Sequence, residues 1–98
     1  MPKQPIVELV KWKSKPGVTD ASMIAAVDGI LPDLKTLPGF ISQTLYKDDD
    51  GVWVDLYYWD TRAQAAASND LMAQRPAFGT LMERLDPTSV SIEFLTLP

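Results

Sequence analysis

The hydrophobic positions of the chain fall into segments that alternate between strand-like and helix-like spacing. The strand-like segments are rich in β-branched, aliphatic and aromatic residues and are bounded by Pro, Gly or Asp; they cover residues 6–13, 40–47, 52–59 and 89–97. Between the first two strands, residues 20–37 place apolar side chains three and four positions apart, which predicts an amphipathic helix. A second helical region follows Thr61, and a further helical stretch begins at Pro76.

Capping residues support these boundaries. Thr19 precedes the first helix as a good N-cap, and Thr61 with Gln64 forms a capping box at the second. Pro32 predicts a kink or a second short helix inside the first helical segment. The order strand, helix, strand, strand, helix, strand is that of the α+β ferredoxin-like fold, with one four-stranded antiparallel sheet and helices on one face. We expect residues 1–98 to form a single domain.

The strands divide into an aliphatic set and a polar aromatic set. In the third strand, Val52, Val54, Leu56 and Tyr58 alternate with Trp53, Asp55, Tyr57 and Trp59. We assign the aliphatic set to the helix-covered face, so that Leu56 and Tyr58 point towards the helices and Tyr57 and Trp59 away from them. A four-residue turn at 48–51 would pair Leu45 with Val54 and Tyr46 with Trp53. The full set predicted for the open face is Glu8, Trp12, Thr44, Tyr46, Trp53, Asp55, Tyr57, Trp59 and Glu93.

An open face with so many aromatic side chains is too apolar for a monomer, which predicts a homodimer whose sheets pack together. The aromatics would then stack on a flat ligand or pack in the dimer interface, and the sequence leaves both alternatives open.

Composition excludes several functional classes. The chain of 98 residues has a net charge of −4, which disfavours nucleic acid as a partner. It contains no cysteine and no histidine, which excludes disulfides, Cys/His zinc sites and histidine-based catalysis. No signal peptide and no apolar run of membrane-spanning length is present, so we expect a cytoplasmic protein without a membrane partner.

Three carboxylates are candidates for acid–base chemistry. Glu8, Asp55 and Glu93 lie near the middles of three strands that would be adjacent in a ferredoxin-like sheet. Carboxylates crowded in a dry pocket have raised pKa values, and one of them would serve as a general base. The alternative is that they are solvated or paired with basic residues. Asn69 and Arg75 are assigned to the solvated helix surface rather than to a pocket mouth.

Short motifs along nearly the whole chain resemble those of the dimeric α+β barrel superfamily, in its antibiotic-biosynthesis-monooxygenase-like branch. These motifs are the residues 7–10, 15–18, 37–40, 51–55 and 75–78. The resemblance implies a homodimer with a small ligand pocket between each sheet and its helices, a location that competes with the open face. It also implies relatives that include cofactor-independent monooxygenases, isomerases and haem-degrading oxygenases. The last group relies on a histidine ligand, which this chain lacks.

We therefore expect a small-molecule enzyme that acts on an apolar or aromatic substrate without a metal or an organic cofactor. Glu8 or Asp55 is the expected proton acceptor. The expected substrate-binding residues are Trp12, Trp53, Tyr57, Trp59 and Glu93. The alternative is a non-catalytic homodimeric module that binds a metabolite or has a structural role.

Overall fold

The computed structural model describes residues 5–98. The strands are β1 (Ile6–Trp12), β2 (Phe40–Lys47), β3 (Trp53–Trp59) and β4 (Ser91–Leu95). The helices are α1 (Asp20–Leu34), α2 (Arg62–Ala73) and α3 (Pro76–Arg84), and a short 3-10 turn at Pro87–Ser89 leads into β4. All pairings in the sheet are antiparallel and the strand order is β2-β3-β1-β4. The ferredoxin-like α+β prediction is confirmed.

The helix boundaries follow from local hydrogen bonds. Thr19 Oγ1 accepts a hydrogen bond of 3.1 Å from the Ser22 backbone N–H, and this N-cap starts α1 as predicted. A single helix then passes through Pro32 and ends at Leu34, three residues earlier than expected. A proline in a helix removes one backbone hydrogen bond. The backbone hydrogen bonds after Pro32 are still made, beginning with that from the Lys35 N–H to the Leu31 carbonyl at 3.0 Å.

The helix predicted after Thr61 and the further helical stretch predicted from Pro76 are both present, as α2 and α3. Thr61 Oγ1 caps α2 by accepting from the Gln64 N–H at 3.2 Å, but the reciprocal bond of the predicted capping box is not made, since Gln64 Oε1 is buried without a partner among residues 5–98. Arg75 is extended, with φ −90° and ψ 135°, because the residue before a proline is disfavoured in the helical region. Pro76 then occupies the first position of α3.

The β2–β3 loop is one residue longer than predicted. Lys47 pairs with Trp53, so five residues separate the strands, and Leu45 pairs with Asp55 rather than with Val54. The Asp48 carboxylate stabilises the loop by accepting from two backbone N–H groups at 2.9 Å. A shift of one residue in the pairing of β2 with β3 changes which side chains share a face. Tyr46 and Thr44 therefore lie on the face opposite to Trp53.

The predicted assignment of the two sheet faces is wrong for β1 and β3, whereas Thr44, Tyr46 and Glu93 lie on the side away from the helices as predicted. Trp53, Asp55, Tyr57 and Trp59 are at most 8% exposed and belong to the side covered by the helices, whereas Leu56 and its outward-facing neighbours are half-buried. The helices therefore cover the polar aromatic residues of β1 and β3. Large rings remove the most apolar area from water, and the polar end of Trp53 is satisfied, because its Nε1 donates to Ser14 Oγ at 2.9 Å.

The core lies between this face and the helices. Its fully buried side chains include Trp12, Trp59, Met23, Ile30 and Leu85. Trp59 meets Phe40 in an edge-to-face arrangement with ring centres 5.5 Å apart. Within residues 5–98, no helix is both long enough and apolar enough to cross a bilayer.

The opposite side of the sheet is called the open face below. It is aliphatic at its centre and has hydroxyl and charged side chains towards its edges. The register places on it Val7, Leu9, Lys11, Ser42, Thr44, Tyr46, Val54, Leu56, Tyr58, Ser91, Glu93 and Leu95. Tyr46 is 55% exposed and Leu95 is 43% exposed.

Candidate active site

A cavity of about 130 Å³ lies between the sheet and the helices. β1 and β3 form its floor, and apolar side chains of α1, α2 and α3, such as Leu34, Met72 and Phe78, form its walls. Exposed Ile92 on β4 and exposed Asn69 on α2 border it, so the cavity reaches the protein surface beside these elements. The pocket is thus on the helix-covered side, at the location that the resemblance implied, and not on the open face.

Glu8 brings a carboxylate into this apolar cavity. Its side chain is 2% exposed and lies on the floor, where β1 is central in the sheet. Oε1 accepts a hydrogen bond of 3.1 Å from Trp59 Nε1, and Oε2 accepts a longer one of 3.5 Å from Asn69 Nδ2. Burial raises the pKa of Glu8, the negative charge of Asp55 adds to that rise, and the two hydrogen bonds oppose it.

Asp55 forms a second buried carboxylate one strand away. It is fully buried, and its two oxygens accept hydrogen bonds from the Gln43 side-chain amide and the Tyr57 hydroxyl. Burial raises the pKa of Asp55 to about 6, although both hydrogen bonds favour the ionised form. Asp55 is not part of the cavity wall, but Tyr57 is, so Tyr57 lies between the buried carboxylate and the cavity.

Tyr57 is held as a neutral hydroxyl. Burial raises its pKa well above the ordinary value, and the charges of Asp55 and Glu8 raise it further. Because the hydroxyl donates its proton to Asp55, the lone pairs of its oxygen remain free to accept. Among residues 5–98, the ion pairs are Lys47–Asp20 and Arg75–Asp33, and neither reaches the two buried carboxylates.

A buried carboxylate without a cationic partner is a proton acceptor of increased basicity. Glu8 is the one that faces the cavity, and its pKa has moved towards neutrality. The arrangement can therefore remove a proton from a molecule bound in the cavity. Within residues 5–98, no group of three or more acidic side chains is placed to hold a metal ion.

Trp12 contributes the most unusual polar atom of the site. The residue is 2% exposed and lines the cavity, and its Nε1 is buried without a hydrogen-bond partner among residues 5–98. The other two indoles differ, because Trp53 donates to Ser14 and Trp59 donates to Glu8. An unsatisfied buried donor costs free energy of folding.

The structure brings together part of the predicted site. Glu8, Trp12, Tyr57 and Trp59 line one cavity, with Asp55 directly behind Tyr57. The predicted cluster of three carboxylates is wrong because Glu93 pairs with Leu9 on the open face, opposite to Glu8, and is exposed. Its neighbour Phe94 lies on the helix-covered side as predicted, so β4 keeps its predicted faces whereas β1 and β3 exchange theirs.

Trp53 is also outside the cavity wall. Its ring is covered by the Lys47 ammonium, 5.0 Å from the ring centre, and it packs at the far end of β3. Sequence reasoning missed Asn69, which reaches Glu8 from the exposed surface of α2, and Ser68 beside it. The small residues on the inward side of α2, such as Ala65, were the available signal, because they allow that helix to lie close to the sheet.

No family model and no curated protein matches the chain. Solved structures do match over nearly their whole length. SnoaB, a cofactor-independent oxygenase from Streptomyces nogalater, superposes with a TM-score of 0.73 at 13% identity, covering 97% of this chain and 94% of that one. A candidate antibiotic biosynthesis monooxygenase from Bordetella bronchiseptica gives a TM-score of 0.79 at 15% identity, covering 97% and 98%.

The chain has the fold of the antibiotic-biosynthesis-monooxygenase-like proteins. Protein SO0527 from Shewanella oneidensis also superposes, with a TM-score of 0.68 at 22% identity, covering 98% of this chain and 93% of that one. These identities are low, so the similarity establishes the fold and leaves the chemistry to be argued from the site.

Proposed function

We propose that this protein is a cofactor-independent monooxygenase of a small aromatic or otherwise apolar substrate, with Glu8 as the general base. The observation that carries the proposal is the Glu8 carboxylate, which lies in an apolar cavity, has a raised pKa and has no cationic partner among residues 5–98. The name of SnoaB supports the reaction class, since that protein has the same fold and is a cofactor-independent oxygenase.

The reaction needs a base and molecular oxygen. Glu8 removes a proton from a methylene group that neighbouring carbonyl or phenol groups make acidic, and the electron pair of the C–H bond stays on the carbanion. The carbanion transfers electrons to O₂ and forms a C–O bond, which gives a peroxide that takes the proton back from Glu8. Loss of the remaining C–H proton, with departure of hydroxide, then forms the carbonyl. The balance is CH₂ + O₂ → C=O + H₂O.

The surroundings of Glu8 suit this cycle. The Trp59 N–H holds one carboxylate oxygen in place, while a carboxylate retains further lone pairs that can accept the substrate proton. The apolar walls exclude water, which would otherwise solvate the carboxylate and the carbanion. The negative charge of ionised Asp55 lies nearby, which helps to keep the proton on Glu8 once it has been transferred.

We also propose that the working form is a homodimer formed through the open face. In the single chain that face presents to solvent the half-buried Leu9 and Leu56 at the centre of the sheet and the exposed Leu95 on the edge strand β4. Burying it against a second copy would remove apolar surface from water at about 25 cal/mol per Å². The cavity is on the other side of the sheet, so each copy would retain its own site.

Substitution of Glu8 tests the proposed function. Oxygen consumption is measured for wild type, Glu8→Gln and Glu83→Gln with anthrone and with a panel of single-ring ketones that carry acidic methylene groups. We expect Glu8→Gln to lower kcat/KM by about 10²- to 10⁴-fold, because a general base contributes that much. Glu83→Gln is the matched control, since Glu83 is exposed on α3, outside both the cavity and the open face, and it should retain activity.

Two outcomes would count against this proposal. Turnover that is equal in Glu8→Gln and wild type would remove Glu8 from the mechanism. Binding of panel members in the cavity without oxygen consumption by the wild-type protein would favour the non-catalytic metabolite-binding module.

A further inference from the structure

The cavity opens to solvent through apolar side chains. Val90 and Ile92 line it and are 38% and 44% exposed, whereas Leu81 in the same lining is 3% exposed. Two further lining residues, Phe78 and Met82, lie one turn apart on α3 and are half-buried. These four side chains, Phe78, Met82, Val90 and Ile92, are called the rim below. The rim continues the apolar lining of the cavity onto the surface of the protein.

The rim lies on the helix-covered side of β4. Ile92 pairs with Val10, which also lines the cavity, and its neighbours Ser91 and Glu93 belong to the open face. A dimer formed through the open face would therefore leave the rim uncovered. An exposed apolar surface that is continuous with a candidate site is best explained by a ligand that covers it.

The enclosed part of the site is small. Its volume is about 130 Å³. A buried apolar cavity of about 150 Å³ in another protein is known to hold benzene, so the cavity here is comparable with one ring. A substrate larger than one ring must therefore extend out of the cavity and over the rim.

The rim begins close to the proposed base. In the β1–β4 ladder Glu8 pairs with Phe94 and Val10 pairs with Ile92, so Ile92 is the diagonal neighbour of Glu8 on the same face of the sheet. Diagonal neighbours across two strands are close enough for long side chains to touch. A substrate with its reactive methylene group at Glu8 would therefore reach the rim with the next few atoms of the same molecule.

The charges around the cavity favour a neutral extension. Among the lining residues in the described part of the chain, Glu8 is the one charged side chain, and its ionised form repels an anion. Asn69 is the polar side chain that borders the exposed end of the cavity. A charged group lying over the rim would therefore lose water without gaining an ionic partner.

We infer that the substrate carries a neutral apolar extension of several carbon atoms beside its reactive methylene group, and that this extension lies over the rim, where Val90 and Ile92 determine specificity. The inference names the substrate class for the proposed function and rests on it for turnover. For binding it rests on the cavity and the rim alone. The reactive end of the substrate occupies the cavity beside Glu8, and the rim binds the remainder.

Binding of a homologous series to the wild-type protein tests the inference. Calorimetric titration at pH 7.5 under nitrogen, which prevents turnover, compares 1-phenylbutane-1,3-dione with homologues lengthened at the methyl end by two, four and six methylene groups. Each compound has the same ring and the same acidic methylene group. Full burial of one methylene strengthens binding about fourfold, so half-burial on the rim gives about twofold. We expect about 15-fold tighter binding for the first four added groups and less gain beyond them.

A matched pair of variants then assigns the contact to the rim. Ile92→Ser should reduce the gain from four methylene groups from about 15-fold to about fivefold or less, and it should leave the affinity for the unextended dione unchanged. Ile41→Ser is the control, because Ile41 is 50% exposed on β2, the other edge strand, and does not line the cavity. It should keep the full gain. If Ile92→Ser does not fold, Val90→Ser, just before β4, replaces it.

Affinity that does not rise with the extension, including no binding by any homologue, would overturn the inference. Tighter binding of a homologue that ends in a carboxylate would overturn the neutral class. Weaker self-association of Ile92→Ser in sedimentation, with unchanged ligand affinities, would assign the rim to an interface between copies.

Failure of the proposed function gives a different result. In that case the affinities rise as expected and no oxygen is consumed in air with any homologue. Oxygen consumption with the same kcat/KM throughout the series would support the monooxygenase and overturn the role of the rim.

Discussion

The two faces of the sheet are built from the same strands and differ in what they bury. The helix-covered face carries the three tryptophans together with two carboxylates, and it is almost completely removed from water. The open face carries aliphatic side chains such as Leu9 and Leu56 and remains half-exposed in the single chain. The more polar set of side chains is therefore the deeper one.

This difference indicates which face is suited to reaction chemistry and which to association with another surface. A carboxylate under helices costs free energy, and that cost is accepted where the group has a task or a full set of hydrogen bonds. Asp55 has partners on both oxygens, whereas Glu8 has one good partner and faces a cavity. Within residues 5–98 the open face has no comparable polar network, and its apolar character suits association with another surface rather than reaction chemistry.

The largest effect is expected on the open face. Leu56→Glu places a charge at the centre of that face, between β1 and β2. If the face is a dimer interface, a buried charge without a partner costs several kcal/mol, which weakens association by at least about 10²- to 10³-fold. Analytical ultracentrifugation of wild type and variant over a concentration series measures this.

Ala66→Glu provides the control, because Ala66 is exposed on α2 and its charge should leave association unchanged. A wild-type protein that sediments as a monomer at high micromolar concentration would contradict the dimer. The helix-covered face, and the cavity with it, would be unaffected by that result.

The next effect concerns the buried carboxylate of the helix-covered face. The pKa of Asp55 is raised from 3.8 to about 6, so the folded state binds its proton more tightly than the unfolded state does. Below about pH 4 both states are protonated and no stability is lost. As the pH rises to about 6 the ionised form becomes costly, and above that the full cost, on the order of 3 kcal/mol, is present.

Asp55→Asn should therefore stabilise the protein above pH 6, because it removes the charge and keeps polar atoms for Gln43 and Tyr57. Urea unfolding at a fixed protein concentration, at pH 7.5 and at pH 4, measures the difference, which should shrink at the lower pH. A loss of stability at pH 7.5 would show that the ionised carboxylate is the better hydrogen-bond partner.

Asp86→Asn is a control of opposite sign. Asp86 caps the 3-10 turn by accepting from the Thr88 N–H and hydroxyl at 2.9 and 2.7 Å, and these bonds lower its pKa. A lowered pKa stabilises the folded state above the unfolded value, and this contribution is lost as the pH falls through the folded pKa. Asp86→Asn should therefore lower stability at pH 7.5 and have less effect in acid.

The sequence was sufficient for the fold and for part of the site, for reasons that differ by residue. Local signals such as the Thr19 and Thr61 caps depend on neighbours in the chain, and those predictions hold. The inward or outward direction of β3 depends on what the whole sheet packs against, and alternation gives two sets without saying which is inside. The aliphatic set was the natural choice, because the partners that satisfy the buried Glu8 and Asp55 come from other elements.

The same distinction between local signals and long-range contacts explains which site residues the sequence identified. Glu8, Trp12, Tyr57 and Trp59 belong together because cross-strand register preserves their common face whichever side it occupies. Glu93 lies on the open face as predicted, but it is separated from Glu8 and Asp55, because the sequence does not fix which residues of β4 share a face with which residues of β1. Asn69 was missed because its position depends on how α2 lies over β1, a long-range contact without a local sequence signal.

The smallest expected effect sharpens the description of Glu8. Asn69 is exposed, and its amide donates to Glu8 Oε2 over 3.5 Å, which is a weak bond that lowers the pKa of Glu8 slightly. Asn69→Ala should therefore move the Glu8 titration to higher pH, by a few tenths of a pH unit for a contribution of about 0.5 kcal/mol. Carbon-13 NMR of glutamate-labelled protein measures the Glu8 titration directly, because the chain has three glutamates and Glu8→Gln identifies the relevant signal.

Gln74→Ala, an exposed substitution at the end of α2, is the control and should leave the midpoint of the Glu8 titration unchanged. A lower midpoint in Asn69→Ala would mean that the amide stabilises the protonated form of Glu8. Asn69 would then help Glu8 to retain the abstracted proton and would not help the ionised carboxylate to accept it.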